Sequence, residues 1–282
     1  MLVFRLVQTR RSRMRRPVVL LFLLCTMGKS LVGQELFTYS EPASNMAAKS
    51  IGVRLSSYLL RDKTDGSFKY QLNPELMWGI SKKMMAHAEA LTGADGRSYK
   101  VRGMSVYSKF RFYSNDDVHK HFRMALYGRG SLNTAKINQE AIDLQMFHSG
   151  YELGWVGTEL IQKWAFSLGF SGVKSFSFQD NQSLPGRDFG WNYNLSMGKL
   201  IFPLSYENYS QTNLNLMAEF PGQYLPAAGR AYIDAAPSLQ MIFASKARLD
   251  FGYRFPLVND LYRAMDRGFL LRFEYNFFNA IK

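Results

Sequence analysis

Residues 68–80 read FKYQLNPELMWGI. Phe68, Tyr70, Leu72, Pro74, Leu76, Trp78 and Ile80 alternate with Lys69, Gln71, Asn73, Glu75, Met77 and Gly79. Strand side chains point to opposite faces in turn, so one face here is wholly apolar and the other mostly polar. Phe269, Leu271, Phe273, Tyr275 and Phe277 against Arg272, Glu274 and Asn276 repeat the pattern, as do Ala247, Leu249, Phe251, Tyr253 and Phe255 against Arg248, Asp250 and Arg254. Helical periodicity is scarce after Gln34. Reading in twos gives twelve candidate strands, at 50–60, 68–80, 84–91, 101–113, 121–131, 149–157, 163–173, 189–200, 211–220, 231–243, 246–255 and 268–278. Short connections fall at 81–83, 114–120, 158–162 and 244–245, and longer ones at 92–100, 132–148, 174–188, 221–230 and 256–267. The first, 61–67, is short for its side, and 201–210 is long for its side.

Alternation fits a soluble sandwich, where the apolar face is the core, or a transmembrane barrel, where it meets lipid. The strands match the ~9–11 residues that cross a bilayer at a tilt. Connection lengths alternate as periplasmic turns and extracellular loops do. The apolar face carries aromatics, among them Phe68, Trp78, Phe110, Phe112, Trp155, Trp164, Phe166, Phe220, Phe243 and Phe277, many near strand ends where interfacial girdles sit. In hydrocarbon every backbone N–H and C=O must be paired, and a closed barrel does this without a free edge. The expected fold is all-β: a closed antiparallel up-and-down transmembrane β-barrel of about twelve strands, ten to fourteen, over residues 49–282.

The 282-residue chain has a formal charge of +13 and one cysteine. Arg5, Arg10, Arg11, Arg13, Arg15, Arg16 and Lys29 lie in residues 1–33, without an acid; removing these seven leaves 28 bases against 22 acids, or +6. A basic stretch, the apolar run Val18–Cys25 and small residues before Gln34 read as a signal peptide over 1–33, with Met14 a candidate start. Twin-arginine export at Arg10-Arg11 and lipidation of Cys25 are weaker readings, since bulky Phe22, Leu23 and Leu24 precede that cysteine. Residues 34–48 follow as a periplasmic lead-in, and the mature chain has no cysteine for a disulfide. With the charge front-loaded, nucleic acid is not an expected partner.

Taken together, these features resemble Gram-negative outer-membrane β-barrel proteins of the porin-like class. The stretch Asp266–Phe273, continuing to Phe278, is similar to their C-terminal recognition pattern, although Asn279-Ala-Ile-Lys282 follows where such chains end on an aromatic. Leu36–Ala47 (LFTYSEPASNMA) is similar to a lead-in of uncharacterised members. The resemblance implies residence in the cell outer membrane, with its lipid and its assembly machinery as partners.

Among candidate chemistry, Glu140, Asp143, His148 and Glu152 surround the longest loop and are the one potential metal set. His87 alternates with Glu89, and His119 and His121 flank a turn. Barrel phospholipases place His and Ser one residue apart, whereas His148 and Ser149 are adjacent and would face opposite ways. Barrel proteases use paired acids and a His–Asp pair, and no such spacing stands out. Gly128-Arg-Gly130 has no following helix and is not a phosphate loop. No catalytic residue, metal or cofactor is assigned. The lumen-facing set is Arg54, Lys69, Glu75, His87, Glu89, Lys109, Arg111, Arg123, Arg129, Glu152, Glu219, Asp234, Arg248, Asp250, Arg254, Arg272 and Glu274, with nine bases and seven acids beside the histidine. A mixed lumen selects ions weakly. The expected role is passage or binding of small polar or anionic solutes, with Arg111, Arg123, Arg129, Arg248 and Arg254 setting the field. The alternatives are a barrel with a plugged lumen that acts structurally or binds partners through loops 132–148 and 174–188, and, further off, an enzyme.

Overall fold

The computed structural model describes residues 37–95, 98–117, 120–176, 188–204 and 211–281. The signal segment 1–33, His119 and most of the 174–188 connection lie outside the described residues. Twelve strands follow in order: β1 (Ser50–Asp62), β2 (Phe68–Gly79), β3 (Met84–Asp95), β4 (Ser98–Asp116), β5 (Lys120–Asn133), β6 (Ser149–Ile161), β7 (Trp164–Phe176), β8 (Phe189–Phe202), β9 (Asn213–Leu225), β10 (Arg230–Phe243), β11 (Ala247–Asn259) and β12 (Met265–Phe277). Each pairs antiparallel with its chain neighbours, and β12 returns to β1 with Ile51 opposite Phe277 and Leu59 opposite Phe269, so the barrel is closed. Most strands have 12–14 residues, which at ~3.3 Å per residue and a tilt near 40° span roughly 30–35 Å, a bilayer core.

The outer face is apolar around the wall: Leu55, Phe110, Leu126, Phe166, Leu195, Leu216, Phe251, Leu271 and Phe273 are all exposed. Continuous apolar surface on this scale is far beyond the patches a soluble monomer shows, and it is what a lipid-facing belt requires. Three connections expected to be long are short. Strands β3 and β4 run on to Asp95 and from Ser98, so 92–100 is mostly ladder; 221–230 contracts to 226–229, and 256–267 to 260–264. Alternation marks a strand only where one face meets lipid. At Ser98–Lys100 both faces are exposed and the hairpin continues without that signature.

The start of β1, the end of β12 and the turns 80–83, 162–163 and 244–246 share one end, periplasmic by the usual arrangement of such barrels. The interior is filled at two levels. Residues 37–48 lie inside the barrel in its periplasmic half. Phe37 packs on Ala165 and Met217, Ala43 on Ala125 and Val156, and Met46 on Met77 and Met85. At the opposite end the 134–148 connection folds inward, and its Ile142 and Leu144 join Val173, Leu225 and Leu261 in a small apolar cluster.

Candidate functional site

Register aligns the inward charges. Arg54 on β1 stands directly opposite Glu75 on β2 and Glu274 on β12, and Arg248 on β11 stands opposite Glu274. Arg54 bonds Glu274 at 3.0 Å, Glu75 at 3.1 Å and Glu41 at 2.8 Å. Arg248 adds Glu274 and Asp250, each at 3.1 Å. His87 Nδ1 meets Glu75 at 2.6 Å while its ring lies against Tyr107. Glu89, opposite Glu75, takes an N–H from Asn73 at 3.1 Å and has Arg129 at 3.7 Å. Side chains this deeply buried stay ionised only when paired, and these strands supply partners of opposite sign at neighbouring positions.

The floor is the N-terminal segment, bound through its backbone. The fully buried Glu219 accepts the N–H groups of Thr38, Tyr39 and Ser40 at 2.8, 2.8 and 2.9 Å and the Ser40 hydroxyl at 2.7 Å. Lys109 donates to the carbonyls of Pro42 (2.6 Å) and Ser44 (2.8 Å), Arg272 donates to that of Thr38, and Thr158 Oγ1 accepts from Ala43 N–H. Arg123 reaches Ser44 Oγ and pairs with Asp116 at the periplasmic rim, where Arg111 donates to the Lys82 carbonyl.

The roof is the 134–148 loop. Gln223 on β9 brackets Ile142, accepting its N–H at 2.8 Å and donating to its carbonyl at 2.9 Å. Glu140 pairs with Arg230 and accepts Tyr262 N–H. Asn73 and Asn133 donate to the Gln145 and Met146 carbonyls. His148 Nδ1 accepts the Asp143 N–H at 3.1 Å, and burial pushes that imidazole below its ordinary pKa. Glu152 turns to Tyr127, Ser171 and Asn192. Glu140 and Glu152 are thus engaged apart from the bonded Asp143 and His148, and among the described residues no group of three or more acids and histidines has a metal-binding arrangement. Ser149 bonds Asn133 rather than forming a pair with His148.

Between floor and roof remains a chamber of about 240 Å³. Its lining includes Arg54, Arg129, Arg254, Arg267 and Arg272 against Glu41, Glu75, Glu89, Asp143, Glu152 and Asp266, a near balance of sign, together with Tyr39, Tyr58, Tyr107, Tyr127, Tyr193 and Tyr232. Asp234 holds Arg254 at 2.5 Å and Arg263 through two bonds of 2.6 and 2.7 Å; Arg263 also lies 3.9 Å above the Tyr232 ring. Of the lumen-facing set, Lys69 stands at the extracellular mouth with Asp65 and Asp62, and Ser67 with Lys69 holds the exposed Asp65 carboxyl down at about 2. His121 pairs with Asp116 at the opposite rim, and Gly128-Arg-Gly130 is mid-strand in β5. Sequence reading did not pick out Tyr39, Glu41, Gln223, Arg263 or Asp266. The first two lie in a segment without periodicity, Gln223 and Asp266 near strand ends, where alternation fades, and Arg263 in the 260–264 connection.

No family model and no curated protein matches the sequence. Among solved structures, the chain is similar to an outer membrane channel from Pseudomonas putida F1, with a TM-score of 0.54 and 11% identity over 86% of this chain and 100% of that one. It is also similar to the KdgM porin, with a TM-score of 0.45 and 7% identity over 81% of this chain and 99% of that one. With its twelve strands closed on themselves and its apolar face turned outward, the chain has the fold of the porin-like outer-membrane β-barrels of Gram-negative bacteria.

Proposed function

We propose that the protein is an outer-membrane channel for small polar solutes, anions among them, whose lumen is closed at rest by residues 37–48 and narrowed by the loop 134–148. The observation that carries this reading is the polar chamber of about 240 Å³ that lies between these two elements within a lipid-facing wall. Its charges are near balance, so passage of ions is weakly selective and the field at the rim decides the sign. Arg111 and Arg123 at the periplasmic rim favour anions. The reading includes export by a signal segment over 1–33 and no catalytic role.

A second reading, a permanently plugged barrel that acts through its outer loops, is favoured by the many bonds that hold the floor. Planar-bilayer recording separates the two. The channel reading expects discrete conductance steps, and Arg111→Glu with Arg123→Glu shifts the reversal potential toward cation preference. Absence of steps, both in the parent chain and after deletion of residues 37–48, refutes the channel and leaves the plugged barrel.

A further inference from the structure

Two buried charges of the wall have the main chain of the floor as their partner. Glu219 on β9 is fully buried and has no ion pair among the described residues. It is met instead by the N–H groups of Thr38, Tyr39 and Ser40, by the Ser40 hydroxyl and by Ser196 at 3.3 Å. Lys109 on β4 is fully buried too. Both of its hydrogen bonds go to main-chain carbonyls, those of Pro42 and Ser44, and the carboxylate nearest its ammonium, Glu41 at 4.0 Å, belongs to the floor itself. The two strands stand five apart in the ring of twelve, so the floor crosses the lumen from an acceptor on one wall to a donor on the other. On the way Arg272 donates to the Thr38 carbonyl and Thr158 accepts the Ala43 N–H.

The floor's side chains are served less completely. Glu41 reaches Arg54 through Oε1, whereas its Oε2 has no hydrogen bond. The Tyr39 hydroxyl and both amide atoms of Asn45 are buried without a hydrogen-bond partner among the described residues. From Thr38 to Ser44 the apolar clusters take up one side chain, the Ala43 methyl; Phe37 and Met46 lie outside that stretch. A wall fitted to this one sequence would pair its side chains. This wall spends its buried charges on N–H and C=O groups, which every peptide carries.

We propose that the wall between Glu219 and Lys109 is a binding site for short peptides, filled by the floor at rest and taken by a free peptide of five to seven residues when the floor leaves. The length follows from the spacing: Thr38 to Pro42 is five residues and Thr38 to Ser44 is seven. A free peptide has at its ends what the floor lacks. Its ammonium replaces the first N–H at Glu219, and its carboxylate replaces a carbonyl at Lys109, so two bonds with one charged partner become two ion pairs. A carboxylate and an ammonium this deeply buried are costly to leave without partners, which favours an occupant that supplies both. A sugar offers hydroxyls but neither a run of N–H groups nor opposite charges at its two ends. The inference rests on the channel reading only in that the floor must leave; binding does not require that the barrel conducts.

The test uses the full chain in phospholipid nanodiscs with Tyr39→Pro and Ser40→Pro, which remove two of the three N–H groups that Glu219 holds and leave the wall unchanged. Calorimetric titration follows two pentapeptides with free termini and unrelated side chains, Ala-Ser-Gly-Ala-Thr and Val-Gln-Ala-Asn-Leu. Their affinities are expected to agree within about tenfold, and each should exceed by at least tenfold those of its form N-methylated at the second and third residues and of maltotriose. Glu219→Gln or Lys109→Met, added to that chain, should weaken both peptides at least tenfold. If the proline variant does not fold, the otherwise unaltered chain with Cys25→Ser and Ser44→Cys decides: excess pentapeptide should speed maleimide labelling of the floor at least tenfold, and the methylated form should not. Equal effects of the methylated peptide or the sugar, a preference between the two peptides beyond tenfold, or no peptide effect on the folded barrel each overturn the proposal. Peptide binding without conductance steps refutes the channel and leaves the site standing.

Discussion

The sharpest prediction concerns Glu219. Its carboxylate accepts three consecutive backbone N–H groups and one hydroxyl from residues 38–40, at 2.7–2.9 Å. A hydrogen bond to a charged group contributes about 1.5–3 kcal/mol. Four of them would suggest a larger sum, but two terms offset it. The freed amides regain water when the segment leaves, and the buried carboxylate no longer has to be kept desolvated. A net loss of about 2–4 kcal/mol for Glu219→Ala is therefore expected, which at about 1.4 kcal/mol per tenfold raises the released population of the segment by about 30- to 700-fold. Single-channel recording reads this as the fraction of time spent conducting, and deletion of residues 37–48 sets the fully open reference. Lys109→Met, which frees the Pro42 and Ser44 carbonyls at the other end of the segment, should raise the open fraction in the same direction. If Glu219→Ala and Lys109→Met both record as the parent does while the deletion conducts, the segment is held by its apolar contacts and the reasoning fails.

Three further outcomes are expected. Arg54→Ala leaves Glu41, Glu75 and Glu274 facing one another and should cost about 3–5 kcal/mol, read as a lower midpoint of heat-modifiable gel mobility, with Arg54→Lys recovering part of it. Glu140→Ala releases the 134–148 loop from Arg230 and Tyr262 and should increase current noise in the deletion variant while changing the stability of the wall, read from heat-modifiable gel mobility, by less than about 1 kcal/mol. His148 is depressed by burial below its ordinary value of 6.5, so protonation favours the released loop; the loop's stability is complete above pH 6.5 and declines as pH falls below it toward the folded value, and the matching rise in loop noise should vanish in His148→Gln.

The wall was legible because lipid imposes one rule on every strand: apolar outward, polar inward, in twos. The rule lapses beyond the bilayer, and the misjudged connections lie there, as in the exposed hairpin arm Ser98–Lys100. The face on which Arg54 stands could be read from β1 alone. That Glu75 and Glu274 stand opposite it could not, because this depends on the turn after Asp62 and on closure between strands at the two ends of the chain. The floor was invisible for a related reason. Leu36–Ala47 has no period, and its holding contacts are distant: Thr38 and Glu219 are 181 residues apart. The early end of the β2–β3 ladder, at Glu75 opposite Glu89, had one local mark, Pro74, which could equally have belonged to an edge or a bulge.

How the floor is held bears on whether it can leave. Phe37, Ala43 and Met46 anchor it in three separate small clusters, so no continuous apolar interface must be wetted at once. The other ties are hydrogen bonds and ion pairs, from wall side chains to main-chain N–H and C=O groups and to the side chains of Thr38, Ser40, Glu41 and Ser44, and water can take over each of these singly. Departure also removes Glu41, which bonds Arg54 at 2.8 Å. Arg54 keeps Glu75 and Glu274, so the wall network survives without the floor, with water in place of one carboxylate. A plug packed as a hydrophobic core would expose a large apolar surface on leaving and would hold the barrel shut. One bound by replaceable polar contacts, over a wall whose charges remain paired in its absence, can be exchanged for water in steps, and the lumen it uncovers is already the polar surface a solute path requires.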